Sequence, residues 1–447
     1  MKENKDTGSG TSPDNAPVAA QPVPDSTFTI GQKRWILFLA AFAAMFSPMS
    51  SFIFYPAITS MAESLHTTVS KIDLAITTYM VVSGVTPALL GEAADNMGRR
   101  PVYIVALAIF LVANIGLALQ SDYTTLLILR MVQSAGSSGT ISLGYGVISD
   151  IASPSERGLY VGLFTIGPNV APPLGPVLGG IVTSQLNWQW IFWILAILGG
   201  GCLLMVLLSL PETARIIVGD GSISAGGIYR PLIRPTTSKG NNESAFGQYR
   251  PPRFAVPNPM SCLKLLFFKE IFIVLLCNGI YYAAYCCVQA TLASLFVNTY
   301  GYHELQAGLI YIPFGFGCLA ATYSWGRLLN YDYAQMQKRR EHIAEDCFDG
   351  DFPIEKARLR SSFYLVGITT VSIIAYGWVV GLRVHVAVPL VLQTIIGYTI
   401  TGIFTALGTL LTDLNPLQSS TAAASANVQG HRWRVQRKSN APIQEEA

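Results

Sequence analysis

Ten long apolar runs constrain this chain more than any other feature of its sequence. A helix needs about 20 consecutive apolar residues to cross the hydrocarbon core of a bilayer. The chain is 51% hydrophobic and only 12% charged, whereas a soluble domain carries about 25% charged residues. We therefore predict an all-α polytopic membrane protein. The runs cover residues 35–57, 72–90, 102–119, 126–148, 159–183, 191–210, 271–297, 309–329, 363–382 and 386–411.

Polar segments between the runs divide the chain into five parts. Residues 1–31 form a polar tail without the apolar core of a signal peptide, and we expect this tail to be disordered in the cytosol. Residues 32–212 carry six runs and predict a first helical bundle. A polar linker of residues 213–270, rich in Gly, Pro, Ser and Arg, separates it from a second bundle of four runs in residues 271–427. Residues 428–447 are again polar.

The distribution of Lys and Arg predicts the orientation of the runs, because cytosolic loops of membrane proteins carry an excess of these residues. If the runs alternate in direction, most basic residues fall on the side that holds the N-terminus and the linker. The opposite loops hold only Lys71 and Arg383 near their helix ends. We therefore predict that the N-terminus and the linker are cytosolic.

A concentration of charge separates the second run from the third, in the sequence G-E-A-A-D-N-M-G-R-R-P. Gly98 permits a turn with positive φ, and Asp95 can pair with a nearby arginine or face a helix N-terminus. Asp150, at the end of the fourth run, is a further candidate partner. Charges that separate and pair again suit a gate, whereas the alternative is that the arginines only anchor the topology. The candidate gating residues are Gly91, Asp95, Gly98, Arg99 and Arg100.

Arg130 lies several residues inside the fourth run, and Gln133 follows it by one helical turn. A charged side chain at this depth costs several kcal/mol unless it is paired or hydrated. We therefore expect both side chains to face a watery cavity between helices. The alternative is that Arg130 snorkels to the outer interface, because a polar stretch begins about one turn away. The middle of the runs contains no carboxylate, so the sequence identifies no proton carrier.

The fifth run contains the sequence G-P-N-V-A-P-P-L-G-P-V-L-G-G, which a soluble helix would avoid. Bilayer helices tolerate Pro and Gly where neighbouring groups satisfy the freed backbone, and small residues let helices pack closely. We predict a bent span with a tight contact surface, which suits a rocking joint. The alternative is that these are ordinary glycines of a membrane helix. The residues concerned are Gly167, Pro168, Gly175, Pro176, Gly179 and Gly180.

An aromatic and polar stripe on the seventh run is a candidate substrate site. Tyr281, Tyr285 and Gln289 recur every four residues and so share one helical face. Such a stripe inside a bundle suits an amphipathic organic ligand. Asn278 and Tyr311 are similar candidates. The alternative is an interfacial aromatic belt or ordinary helix packing.

The sequence lacks the motifs that are typical of several other classes of protein. The sequence contains no P-loop, no HExxH and no G-x-S-x-G motif, so neither an ATP-driven pump nor an enzyme is supported. The seven cysteines follow no metal or disulfide spacing. We expect no cofactor, no metal and no nucleic-acid partner.

Together the motifs resemble the major facilitator superfamily, and within it the fungal twelve-span drug:proton antiporters, over about residues 35–427. The charged loop is similar to the family signature between spans two and three, although Asn96 stands where the family more often has Arg or Lys. Arg130, Gln133 and Gly136 resemble the span-four motif whose arginine is implicated in proton coupling. The Gly/Pro sequence of the fifth run resembles the span-five motif of antiporters.

The resemblance implies a two-bundle fold with a substrate cavity between the halves and alternating access by rocking. It further implies proton-driven export of a drug or fungal secondary metabolite by a monomer in the plasma membrane, although the vacuolar membrane fits the charge bias equally. A first alternative is export of a small organic acid, with Arg130 as the anion partner. A second is a truncated, non-transporting sensor or relic.

The second alternative arises because family members continue after the tenth span with two further spans. Here the chain turns polar over residues 428–447. We therefore expect a chain truncated after the tenth span, with an incomplete C-terminal bundle. In the family, the aspartate equivalent to Asp95 docks near the start of span eleven, and that partner would be largely absent.

Overall fold

The computed structural model describes residues 26–153, 155–219, 226–232, 269–300, 309–344, 362–382 and 384–414. These residues form helices and connecting turns and contain no β-strand. The helices are α1 (Ile30–Phe52), α2 (Ile58–Ser64), α3 (Val69–Met97), α4 (Arg99–Leu119), α5 (Tyr123–Ser137), α6 (Gly139–Ile151), α7 (Arg157–Gln185), α8 (Gln189–Ser209), α9 (Arg215–Val218), α10 (Lys269–Tyr300), α11 (Tyr311–Ala344), α12 (Ser362–Gly381) and α13 (Ala387–Leu414).

Each predicted apolar run coincides with a helix, except that the first run extends past α1 into a short 3-10 helix (Tyr55–Ala57) and the fourth run is divided between α5 and α6. By length and apolar composition, six helical segments of the described chain are able to cross a bilayer: Ile30–Ala57, Val69–Met97, Arg99–Leu119, Gln189–Ser209, Ser362–Gly381 and Ala387–Leu410. The helices α7, α10 and α11 contain 29, 32 and 34 residues. The prediction of an all-α polytopic membrane protein is confirmed, whereas the crossing of the four remaining runs stays a prediction.

The first half packs around buried phenylalanine rings. Phe46 of α1 lies 5.3 Å from Phe110 of α4, and Phe54 lies 6.4 Å from Phe192 of α8, measured between ring centroids. All four rings are excluded from solvent. In addition, α3 packs on α5 and α6, and α4 packs on α8. The half is thus one helical bundle with a continuous core.

The second half has a separate core, and one residue of the first half takes part in it. Tyr285 of α10, Phe314 of α11 and Ile400 of α13 pack together, and Phe52 at the end of α1 joins them. Around this core, α11 and α12 both pack on α13. The two halves therefore share an apolar contact at the end of α1.

Helix α7 joins the halves more extensively, because it packs against both α1 and α11. Near its start the contact with α11 is too close for larger side chains. A Cβ atom added at Gly162 would lie 2.7 Å from the Thr322 carbonyl oxygen and 3.0 Å from the Cα atom of Gly326. Small residues permit this approach of two backbones, and α7 thereby lies at the junction of the halves.

The beginning of the predicted linker is folded onto the first half. Ala214, Ile217 and Val218 form a buried apolar cluster, against which Tyr229 packs. The linker residues 220–225 and 233–268 lie outside the described residues, as do residues 1–25 and 428–447 of the two predicted tails.

Candidate functional site

A cavity of about 320 Å³ lies between the halves. Helices α1, α3, α6 and α7 enclose it on one side, and α10, α11 and α13 on the other. The first-half wall carries hydroxyl and amide groups, from Ser47, Ser51, Tyr79, Ser83, Ser138, Tyr145, Thr165 and Asn169. The second-half wall carries a group of aromatic rings, from Tyr282, Tyr285, Phe314 and Phe404. Among the described residues, the lining contains no side chain with a formal charge.

The face of α10 that lines this cavity differs from the stripe expected for the seventh run. Asn278 and Tyr285 line it as expected, but the other two lining residues are Tyr282 and Cys286, which the sequence pattern did not single out. Tyr281 is directed toward α12, where its hydroxyl lies 3.3 Å from Thr370 Oγ1. Whether the two expected residues contact a substrate stays a prediction.

Gln289 and Tyr311 also lie away from the cavity. Both are almost completely buried in the second half, where the Tyr311 hydroxyl donates to the Gln289 backbone carbonyl at 2.8 Å. Gln289 lies seven residues beyond Tyr282, at nearly the same angle around α10 but about 10 Å further along the helix axis. Its position along the helix, and not its direction around it, therefore separates it from the cavity.

Arg130 is fully buried, at 0% exposure. Its guanidinium carbon lies 4.3 Å from the ring centroid of Phe54 and 4.7 Å from that of Tyr79. Nη1 donates to the Ser50 carbonyl at 3.0 Å and to Gln133 Oε1 at 2.8 Å. Nε and Nη2 have no hydrogen-bond partner among the described residues. The structure thus differs from both expectations, because Arg130 faces neither a watery cavity nor the interface.

Hydrogen bonds connect the surroundings of Arg130 to the cavity wall. The Tyr79 hydroxyl donates to the Ser47 carbonyl at 2.8 Å and lies 3.0 Å from Ser137 Oγ. On the other side, Gln133 Nε2 donates to Asn114 Oδ1 at 2.7 Å. Asn114 carried no signal in the sequence, since a single buried amide in an apolar run has no motif around it. A substrate in the cavity would therefore be separated from Arg130 by one tyrosine.

Ion pairs join α3, α4 and α6 at one end of the first half, which we call the charged end. Arg99 pairs with Asp95, and its Nε lies 3.0 Å from Asp150 Oδ2. All three side chains are at least 95% buried. Gly98 between the two helices has a φ of 101°, which glycine adopts readily. Gly91 is buried in α3. Of the partners left open for Asp95, Arg99 is the one with which it pairs, and the action of this pair as a gate stays a prediction.

Glu212 completes the charged end, although the sequence pattern gave it no role. Its Oε1 accepts backbone N–H groups of Arg99, Thr213 and Ala214, each at 2.9 Å. Its Oε2 accepts the Arg100 N–H at 3.2 Å. The first N–H groups of a helix have no partner within the helix, and a carboxylate there is favoured by the helix dipole. Glu212, which follows α8, therefore caps the start of α4, although 113 residues separate it from Arg99 in the sequence.

Arg100 holds the folded part of the linker. Its guanidinium donates to the carbonyl groups of Leu207, Ile228 and Arg230, the first at 2.7 Å and the last at 2.5 Å. These groups belong to the end of α8 and to the turn after α9. The second arginine of the loop thus anchors the chain after the sixth run, whereas the first forms the ion pairs.

Glu212→Gln is expected to destabilise the protein by about 2–3 kcal/mol, because it removes the charge from an acceptor of several buried hydrogen bonds. The control is Glu156→Gln, whose carboxylate has a side-chain exposure of 54% and lies 3.7 Å from Lys33. A pair this exposed contributes about 0–1 kcal/mol. Thermal unfolding of the purified variants in detergent measures both. Equal losses in the two variants would contradict the capping role.

Three glycines of the Gly/Pro sequence in the fifth run face α1 and the residue after it. A Cβ atom at Gly175 would lie 2.9 Å from the Ile53 backbone nitrogen, and Cβ atoms at Gly167 and Gly179 would overlap carbonyl oxygens of α1 and the residue after it. Gly180 meets nothing within 4 Å. Pro168 lines the cavity, and Pro176 is buried. The motif therefore forms the close contact between α7 and α1, next to the cavity.

Comparison with known proteins identifies the family. Residues 40–430 match the family model described as Major Facilitator Superfamily. The chain belongs to the major facilitator superfamily. The family prediction is thus confirmed, and the two halves with a cavity between them are the two bundles of a major facilitator fold.

Two similar relatives in this superfamily are fungal. The chain is 35% identical over 414 residues to the MFS-type transporter phiD of a fungal species, covering 91% of this chain and 62% of that protein. It is 38% identical over 416 residues to citrate exporter 1 of Aspergillus niger, covering 91% of this chain and 79% of that protein. The chain thus spans less than two thirds of the length of phiD.

A solved structure supports the fold. The crystal structure of the human organic anion transporter MFSD10 (TETRAN) superposes with a TM-score of 0.51, covering 88% of this chain and 92% of that chain. The sequences are only 15% identical, so this similarity concerns the fold alone.

Proposed function

We propose that this superfamily member exports a small organic molecule, bound in the central cavity, by alternating access driven by a proton gradient. The observation that carries the proposal is the position of the cavity between two bundles that α7 joins. Rocking of one bundle over the other would open such a site to either side of the membrane in turn. The protein would act as a monomer in the plasma membrane, with its charged end in the cytosol.

Proton coupling is the finer part of the proposal, and Arg130 supports it. A buried guanidinium, two of whose nitrogen atoms have no hydrogen-bond partner among the described residues, lies behind Tyr79 of the cavity wall. Such a charge is costly inside a bilayer and therefore marks a functional site. We propose that protonation of a group reached through this network changes the contacts of Arg130, and that the charged end opens and closes as the bundles rock.

The test uses the full chain in inside-out vesicles with a pH gradient, acidic inside. We expect the vesicles to accumulate substrates from a panel of organic compounds, and a protonophore to abolish the accumulation, because the gradient is its source of free energy. Empty vesicles are the control. Accumulation that survives the protonophore would contradict proton coupling, and no accumulation of any compound would contradict transport.

A second candidate is export of a small organic acid. It is favoured by the 38% identity to a protein named citrate exporter 1. In this case Arg130 would bind the carboxylate, which requires the Tyr79 ring to move out of its present position. Competition between citrate and uncharged compounds in the same vesicles separates the two candidates.

A further inference from the structure

We propose that the central cavity selects an uncharged, hydroxylated aromatic molecule and discriminates against organic acids. This inference rests on the proposed function and concerns the substrate class of the same site. It depends on three properties of the cavity, namely its charge, the aromatic rings on one wall and the direction of the hydroxyl groups on the other.

The lack of charged side chains in the described lining of the cavity disfavours binding of an anion. Among the described residues the lining is uncharged, and an ionised carboxylate in such an environment loses its hydration without gaining a charged partner. The nearest buried cation on this side, Arg130, is covered by the Tyr79 ring at 4.7 Å. That ring is held by the bond from its hydroxyl to the Ser47 carbonyl at 2.8 Å. A carboxylate in the cavity therefore has no direct access to the guanidinium.

The second-half wall favours a flat ring. Tyr285 and Phe314 are stacked, with centroids 5.6 Å apart and an interplanar angle of 27°. Tyr282 lies 6.0 Å from Tyr285 and 6.3 Å from Phe404. Aromatic pairs at such separations attract each other beyond simple burial. A planar ligand can extend this cluster into the cavity.

The first-half wall favours a ligand that donates hydrogen bonds. Ser138 Oγ donates to the Ser134 carbonyl at 2.7 Å, and Thr165 Oγ1 donates to the Gly162 carbonyl at 2.8 Å. A hydroxyl whose hydrogen is used within its own helix offers its lone pairs to a partner. The complementary groups on a ligand are hydroxyls. The cavity volume of about 320 Å³ is at the lower end of the roughly 300–1,000 Å³ typical of small-molecule pockets.

The experiment compares four probes for binding to the purified full chain in detergent by calorimetry. Dihydroxynaphthalene carries the proposed ring and donors, dimethoxynaphthalene lacks the donors, naphthalenedicarboxylate adds charge, and citrate is an acid without a ring. We expect dihydroxynaphthalene to bind at least about tenfold more tightly than each of the others, equivalent to about 1.4 kcal/mol. Equal or tighter binding of either acid overturns the inference, and so does equal binding of the dimethoxy compound.

Variants test the two walls separately. Tyr282→Leu is expected to weaken dihydroxynaphthalene binding about three- to tenfold through loss of ring contact. Thr165→Val is expected to weaken it about two- to tenfold, with no effect on the dimethoxy compound. The matched control is Tyr364→Leu, which removes a tyrosine that is 77% exposed on α12. An equal effect of the control and Tyr282→Leu overturns the assignment of the aromatic wall.

Failure of the inference and failure of the proposed function are distinguishable. Proton-driven accumulation of citrate in vesicles, without binding of dihydroxynaphthalene, would overturn the substrate class and leave proton-coupled export intact. Selective binding of dihydroxynaphthalene to a chain that accumulates nothing in vesicles would support the substrate class and contradict export.

Discussion

Arg130→Met is expected to remove most of the proton-driven export without lowering the stability of the protein. The substitution removes a buried charge, and burial of an unpaired charge costs several kcal/mol in a bilayer. It also removes the bonds to the Ser50 carbonyl and to Gln133, at about 1–3 kcal/mol for each acceptor left unsatisfied. Because these changes oppose each other, thermal stability should be unchanged or raised. Methionine is flexible enough to fill the space between the two rings.

Two measurements check this result on the same preparation. Protonophore-sensitive accumulation in vesicles should fall at least about tenfold, which corresponds to about 1.4 kcal/mol or more in the activation free energy. Thermal unfolding in detergent should show no loss. The matched control is Arg34→Met on the exposed side of α1, which should retain export. A variant at Arg130 that is folded and still exports against the gradient would remove this residue from the coupling mechanism.

The side chains that surround Arg130 could not be predicted from the sequence. The cost of a buried charge marked this residue as unusual, and its spacing from Gln133 placed the two side chains on one face of the helix, where they are now in contact. The rings that cover it belong to α3 and to the turn after α1, and no local pattern indicates that they would approach. Water was therefore expected around the guanidinium, but the rings of Phe54 and Tyr79 pack against it instead.

The fold itself could be predicted because the length of an apolar run decides whether it spans a bilayer, independently of distant contacts. Contacts between segments that are distant in the sequence could not be predicted in this way. Glu212 caps a helix that starts 113 residues earlier in the chain, and its own surroundings in the sequence resemble an ordinary span end. On α10, Tyr285 could share a face with either Tyr281 or Tyr282. Because Tyr281 packs on α12, Tyr282 is the one that lines the cavity.

Gly179→Ala is expected to disrupt the joint between α7 and α1, whereas the same substitution at the next residue is expected to be harmless. A Cβ atom at Gly179 would overlap the Ile53 carbonyl oxygen, while one at Gly180 meets nothing within 4 Å. Overpacking of this kind costs about 1–3 kcal/mol. Alanine at position 180 should leave stability unchanged or raise it by up to about 1 kcal/mol, because alanine favours a helix more than glycine does.

The comparison also tests whether the close contact serves transport or only stability. Since α7 contacts both bundles, a shift of α7 away from α1 changes the position of Pro168 and Pro172 in the cavity wall. We therefore expect Gly179→Ala to reduce export in vesicles even at a temperature at which the variant is fully folded, while Gly180→Ala exports like the parent. Equal export by both folded variants would show that α7 and α1 pack tightly for stability alone, and the rocking joint would then have to lie at the contact of α7 with α11.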